Sequence, residues 1–146
     1  MNNIHMGVYG IYIENDKILL IKKARGPYIG MYDLPGGGIE YGETISECLK
    51  REIYEETGTQ LLNCNFIGNN EYICEYMNPK NEPKKSHHIG FYYKVELSYE
   101  NIKTGPDFED SLGSEFIDIK ELDQIKLSPI AKPMIEKALS MIDKSL

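Results

Sequence analysis

A chain of 146 residues has the length of one domain and is long enough to bury a core of its own. Its composition, 41% hydrophobic and 27% charged with a formal net charge of −7, fits a globular protein in water and argues against a nucleic-acid-binding surface, which needs a basic patch. No apolar run approaches the ~18 to 20 residues of a membrane span, and the N-terminus lacks a basic segment followed by an apolar core. The expectation is one cytoplasmic domain over residues 1–146, with no membrane and no nucleic-acid partner.

The first elements in chain order are two apolar stretches, residues 7–13 (GVYGIYI) and 17–22 (KILLIK), separated by the turn cluster Glu14-Asn15-Asp16. Apolar on both faces, they predict the central strands of one hairpin. Lys22, Lys23 and Arg25 follow, just before Gly26-Pro27 and within a short loop's reach of a glycine segment. This basic trio is either ordinary surface charge or a group that holds phosphate or a nucleotide. Arg25 is the strongest candidate of the three, because its planar fork suits phosphate oxygens. The chain has eleven Tyr and no Trp, so stacking on a nucleobase falls to Tyr or Phe, and Tyr28 and Tyr32 flank the glycine segment most closely.

That segment, Leu34-Pro35-Gly36-Gly37-Gly38, lets backbone approach a ligand closely. The residues after it predict a helix over 45–57. Thr44 followed by Glu47 is a capping box, and Gly58 stands where a left-handed residue closes the helix. Ile45, Leu49 and Ile53 form its apolar stripe, with Glu52, Glu55 and Glu56 on the adjacent side. Carboxylates at i, i+3 and i+4 repel one another by a few tenths of a kcal/mol per pair. Arg51 can neutralise part of that charge, but one guanidinium cannot face all three. A hard divalent cation such as Mg²⁺ can, and it is commonly shared between carboxylates and substrate phosphates. The alternative is an acidic helix face that is merely solvated. A glycine loop feeding a helix suggests phosphate binding, yet no Gly-Lys-Ser/Thr follows, so a metal would have to carry the phosphate.

Beyond the helix, Gln60–Met77 reads as two irregular strands bent at Gly68-Asn69-Asn70, and Asn78–Ser86 as an exposed hairpin loop. His87 to Leu97 alternates with period two and predicts a half-buried strand with Ile89, Phe91, Tyr93, Val95 and Leu97 on one face. His87 and His88 point to opposite faces of such a strand and make a poor metal pair. Residues 98–114 form a long acidic loop containing Asp107, Glu109 and Asp110, and long loops are often functional. Ser128-Pro129 offers a helix start, after which Ile130, Met134, Ile135, Ala138, Leu139 and Ile142 mark a stripe; Pro133 either kinks that helix or delays its start. Cys48, Cys64 and Cys74 form no CxxC pair and are read as small buried hydrophobes.

The pattern Gly37-x5-Glu43-x7-Arg51-Glu52-Ile53-x-Glu55-Glu56-x-Gly58 resembles the signature of Nudix hydrolases at every fixed position, with Thr59 in place of a final aliphatic residue. Gly30-Met31-Tyr32-Asp33-Leu34-Pro35-Gly36-Gly37 resembles the family's lead-in, with Tyr32 at the usual aromatic position and therefore read as core packing. The resemblance implies an α/β fold, a Nudix-type α/β/α sandwich with a mixed curved sheet. It further implies hydrolysis of a diphosphate linkage in a nucleoside diphosphate derivative: a nucleoside triphosphate, nucleotide sugar, ADP-ribose or dinucleoside polyphosphate. In that reading Glu52, Glu55 and Glu56 hold Mg²⁺, for which Mn²⁺ can substitute. Arg51 orients the acid cluster with Glu43 as partner, and Gly37, Gly38, Arg25 and Tyr28 contact substrate. The general base is Glu52 or a late-loop acid, Glu109 or Asp110.

Two other readings remain, a Nudix-fold module that binds a nucleotide without cleaving it and a structural α/β domain. Unpaired strand edges and the tyrosines of Tyr72–Tyr76 and Tyr92–Tyr93 also predict exposed apolar surface, and with it a homodimer.

Overall fold

The computed structural model describes residues 4–104 and 111–144. In chain order these form β1 (Ile4–Ile11), β2 (Ile13–Glu14), β3 (Lys17–Lys23), β4 (Tyr32–Asp33), β5 (Gly36–Gly38), α1 (Ile45–Thr57), β6 (Leu61–Met77), β7 (Pro83–Leu97), β8 (Ser111–Asp118) and α2 (Lys132–Lys144). Single 3-10 segments sit at Tyr99–Asn101 and Ile119–Gln124. One sheet has the order β5-β1-β7-β6 and is mixed, because β1 runs parallel to β7 while β5 and β6 are antiparallel to their neighbours. In the other, β3 pairs antiparallel with β2, β4 and β8.

Both faces of β1 and β3 are covered over most of their length, which is why they read as apolar runs rather than alternating ones. Val8, Tyr12, Leu19, Val95 and Leu97 pack with Cys48, Leu49 and Ile53 of α1. Their neighbours Tyr9, Ile11, Ile18, Leu20 and Tyr92 pack instead with Met134, Ile135 and Ala138 of α2. Two cores divided by the strands, each closed by one helix, make the expected α/β/α sandwich. Among the described residues no helix is long and apolar enough to cross a membrane.

Several local expectations are corrected. Residues 7–13 and 17–22 do not form one hairpin of central strands. β1 begins at Ile4 in the first sheet, and the chain passes at Tyr12 into the second, where only Ile13–Glu14 pairs with Lys17–Ile18. Asn15 and Asp16 make the connection with φ of 53° and 62°, values that short polar side chains tolerate in tight turns. β6 is one strand of 17 residues, since a register shift between Phe66 and Gly68 absorbs the glycine without ending the ladder. The turn after it is shorter than Asn78–Ser86: Asn78 Oδ1 accepts from the N–H groups of Lys80 and Glu82, and Pro83–Ser86 already belong to β7.

Along β7 the buried positions are His88, Gly90 and Tyr92 and then Val95 and Leu97, so neither alternating set alone is the inner face. α2 begins at Lys132, which places Pro133 in its first turn, where a missing N–H costs nothing and no kink follows. On α1, Leu49 and Ile53 are fully buried while Ile45, at the helix start, is 36% exposed. Cys48 is buried as expected, but Cys64 and Cys74 are only partly so.

Candidate active site

The helix that carries the acid cluster is fixed at both ends by its own sequence. Glu47 N–H donates to Thr44 Oγ1 at 3.2 Å and Glu47 Oε1 accepts from Thr44 N–H at 3.0 Å, closing the capping box. Gly58 ends the helix at φ 75°, its N–H donating to the Tyr54 carbonyl. Thr59, the departure from the signature, is buried, and its hydroxyl donates to the Ser98 carbonyl at 2.9 Å.

Leu49 and Ile53 hold this helix against the sheet, and β5 lies along its acidic side. A Cβ added at Gly37 would lie 2.5 Å from the carboxylate carbon of Glu52, so only a glycine leaves that carboxylate its place. Gly36 N–H donates to Glu56 Oε1 at 2.9 Å. The glycine segment thus seats two of the three helix carboxylates directly.

Arg51 organises the remainder. Its Nε and Nη2 donate to the two oxygens of Glu43 at 2.6 and 3.0 Å, a bidentate pair. Nη1 donates to Glu52 Oε1 at 2.8 Å and Nη2 to the Gly38 carbonyl at 3.0 Å. A longer contact of 3.3 Å reaches Glu55. The guanidinium therefore meets Glu43, Glu52 and Glu55 but not Glu56, in keeping with the expectation that it cannot face the whole trio. The Arg51 hydrogen bonds hold the Glu43 carboxyl far down, at about 2. Burial pushes the Glu52 carboxyl up, against the opposing pull of Arg51.

Among the described residues no group of three or more His, Cys, Asp or Glu side chains stands gathered as a closed ligand set. The reason is visible in the contacts above: Glu52 and Glu55 turn toward Arg51, and Glu56 toward the Gly36 N–H. The donor chemistry still fits a hard cation, because the three carboxylates project from the same side of α1 and supply oxygen alone. Glu55 is more exposed than Glu52, its side chain 55% accessible against 15%.

A cavity of about 420 Å³ opens beside the glycine strand. His5, one of its lining residues, lies over Gly38, where an added Cβ would stand 3.0 Å from Nε2. Arg25 and Tyr28 both line it, as do Lys23, Lys84 and Lys85. Lys22, the third of the basic trio, is turned instead toward the Tyr32 ring. Tyr32 packs at the edge of the core beneath α2, and its hydroxyl donates to Glu115 at 2.6 Å. Glu109 and Asp110 lie outside the described residues.

The cavity also holds residues that sequence reasoning missed. His88 is buried between two tyrosines, its Nε2 2.7 Å from Tyr9 Oη and its Nδ1 2.9 Å from Tyr28 Oη. Burial, with lesser contributions from His5 and Lys23, pushes its imidazole down to about 4, so the ring is neutral at pH 7. Asp33 is buried and lines the same cavity; burial raises its carboxyl to about 6, opposed by the Leu34 N–H and by Lys23. The signal for Asp33 was its place in the lead-in to Gly36. Nothing local could have found the His88 cluster, since β1 and β7 bring Tyr9 and His88 together across 79 residues.

Comparison with known proteins agrees with this fold. The sequence model described as the NUDIX domain matches residues 2–138. An "ADP-ribose pyrophosphatase" of Methanocaldococcus jannaschii is 33% identical over 120 residues, which cover 82% of this chain and 65% of that protein. The chain thus spans slightly less than two thirds of that relative's length. Among solved structures, the NUDIX domain of Shewanella oneidensis NrtR complexed with ADP ribose superposes with a TM-score of 0.74 at 16% identity, covering 97% of this chain and 90% of that one. A MutT NUDIX hydrolase from Burkholderia pseudomallei gives 0.70 at 22% identity, covering 93% and 98%. At these identities the two structures speak to fold alone.

Proposed function

We propose that this chain, which belongs to the NUDIX family, is a pyrophosphohydrolase that cleaves a diphosphate linkage in a nucleoside diphosphate derivative with the help of Mg²⁺. The observation that carries this reading is the placement of Glu52, Glu55 and Glu56 on one side of α1, seated by β5 and Arg51 beside a nucleotide-sized cavity. Glu52, Glu55 and Glu56 would hold the cation. When bound, it supplies charge for the phosphate oxygens and a more acidic water.

The chain's own residues do the positioning, on which this class of reaction chiefly depends. Arg51 fixes Glu52 and ties it to Glu43 and the Gly38 carbonyl. Glu52, held by Arg51, would receive the proton from the attacking water. Gly36 N–H orients Glu56. The side chains of the neighbouring cavity retain the organic part of the substrate.

The name of the Methanocaldococcus jannaschii relative makes ADP-ribose the first substrate to try. The functional unit is a homodimer, a reading supported by the exposed Leu62, Phe66, Ile73 and Met77 along β6, the last strand of its sheet. Hydrolysis should be followed with ADP-ribose, nucleotide sugars, dinucleoside polyphosphates and nucleoside triphosphates, with Mg²⁺, with Mn²⁺ and with chelator. Metal-dependent cleavage of at least one supports the assignment. No cleavage of any with either metal would refute it.

A further inference from the structure

Two Gly-x-Tyr units, Gly7-Val8-Tyr9 on β1 and Gly90-Phe91-Tyr92 on β7, meet in the parallel pairing of these strands, glycine opposite glycine and tyrosine opposite tyrosine. In each, the ring folds back over its own glycine. A Cβ added at Gly7 would fall on the Tyr9 ring, 2.6 Å from Cζ, and one added at Gly90 would lie 2.8 Å from Tyr92 Cζ. The two rings stack at 5.3 Å with their planes 23° apart. Among the described residues the Tyr92 hydroxyl finds no hydrogen-bond partner although Tyr92 is fully buried, so its ring is what it contributes.

Tyr9 is tied at its far end as well. Its Oη lies 2.7 Å from His88 Nε2, and Tyr28 Oη holds the other ring nitrogen of His88 at 2.9 Å. With Gly7 beneath, Tyr92 alongside and His88 at the tip, the Tyr9 ring is fixed in one orientation. Its near end reaches the glycine strand. Tyr9 is the register partner of Gly36 across the antiparallel β1 and β5, and a Cβ added at Gly36 would stand 2.7 Å from Tyr9 Cδ1. The ring thus backs the residue whose N–H donates to Glu56 Oε1. β5 has only three residues and ends its sheet, paired with β1 alone, so its position depends on what packs against it.

We propose that Tyr9 is a positioning residue for Glu56, acting through Gly36: the ring, laid flat over Gly7, stacked on Tyr92 and tied to His88, sets the direction of the Gly36 N–H and with it the place of the Glu56 carboxylate. The role belongs to the protein without substrate and does not depend on what enters the cavity that Tyr9 also lines. It rests on the hydrolase reading only in taking Glu56 as a cation ligand. Small displacements matter there, because Mg²⁺ demands near-ideal octahedral geometry. Loss of the groups that orient a ligand typically costs about 10- to 100-fold in metal affinity.

The test reads Mn²⁺ affinity by electron paramagnetic resonance titration without substrate, and Gly36 N–H exchange by NMR in the metal-free protein. Gly7→Ala alters no residue of the acid cluster but displaces the Tyr9 ring. It should weaken Mn²⁺ binding at least about tenfold and speed Gly36 exchange by a similar factor. Tyr9→Phe keeps the ring and loses only the bond to His88, so its affinity should stay within about threefold of wild type. Met134→Ala, in the same core on α2, controls for general loosening: it should lower Tm and leave both readouts unchanged. If Gly7→Ala does not fold, Tyr9→Leu takes its place with the same expected losses. The proposal is overturned if the folded variant binds Mn²⁺ as wild type does, if Met134→Ala weakens binding as much, or if KM rises while Mn²⁺ affinity holds, which would make Tyr9 a substrate contact. Wild type that binds no Mn²⁺ would refute the metal-dependent hydrolase reading itself, and the Gly36 exchange rates would then decide alone whether Tyr9 sets that amide.

Discussion

Arg51 grips Glu43 through two parallel hydrogen bonds, Nε to Oε2 at 2.6 Å and Nη2 to Oε1 at 3.0 Å, while its third nitrogen reaches Glu52. Glu43 lies just before the helix cap and Arg51 two turns into α1, so the pair ties the loop to the face that carries the acid cluster.

Glu43→Gln should therefore lower activity through Arg51 rather than by removing a ligand. We expect kcat to fall about tenfold, corresponding to ~1.4 kcal/mol of transition-state stabilisation. A pH signature accompanies it. The folded carboxyl sits at about 2, below its ordinary 4.5, so its stabilising effect is complete above pH 4.5 and is lost as pH falls toward 2. Thermal unfolding of wild type and variant should converge across that window; a constant difference would mean that the pair is not what holds the loop.

Gly37→Ala tests the seat of Glu52. The new methyl would meet the end of a flexible side chain, so the fold can yield by moving the carboxylate. Activity should drop at least tenfold while Tm changes by only a few degrees. Loss of folding in proportion to activity would show that β5 cannot accommodate a side chain at all.

Two buried groups in the cavity pull stability in opposite directions with pH. His88 titrates near 4 when folded against 6.5 unfolded, so the unfolded chain takes up the extra proton and stability falls as pH drops from 6.5 to 4. Asp33 titrates near 6 folded against 3.8 unfolded, so the folded chain takes up the extra proton and stability rises as pH drops from 6 to 3.8. Wild type should show little change from this pair between pH 4 and 6. Asp33→Asn should expose the histidine's loss on acidification, and His88→Asn the opposite slope. Parallel profiles for all three proteins would show that neither group is buried in the folded state as described.

Light scattering at micromolar concentration should give twice the 16.7 kDa chain mass. Of the tyrosines expected at such an interface, Tyr92 is fully buried, Tyr93 is half-buried and Tyr76 lines the cavity, while Tyr72 stays exposed and joins Leu62, Phe66, Ile73 and Met77 as the surface to cover. Ile73→Lys should produce monomers. A wild-type mass near 16.7 kDa would remove β6 as a self-association edge.

Legibility in the sequence followed the range of the interactions. The helix over 45–57 could be read to its ends because a capping box, a heptad-scale stripe and a closing glycine all act within one or two turns. The acid cluster and Arg51 were legible for the same reason, being close neighbours on that helix. The N-terminal strands were misread because apolar runs report burial on both faces without saying which sheet a strand joins. Gly68 looked like a break because a bulge and a bend use the same residue. Tyr9, Tyr28 and His88 converge only through the parallel pairing of β1 and β7 and the path of the chain after β3, and no local pattern encodes either.

The most direct test of the central claim compares wild type with Glu56→Gln, whose amide oxygen can still accept from the Gly36 N–H. Steady-state hydrolysis of the best diphosphate substrate should be measured across a Mg²⁺ titration, with thermal unfolding of the metal-free proteins alongside. The account predicts at least a hundredfold fall in kcat/KM, about 2.7 kcal/mol, together with a metal-free Tm that is unchanged or slightly higher, because a like charge has left the helix face. Equal losses of stability and activity, or an unaltered response to Mg²⁺, would show that these carboxylates hold the fold together and do not serve a hydrolytic centre.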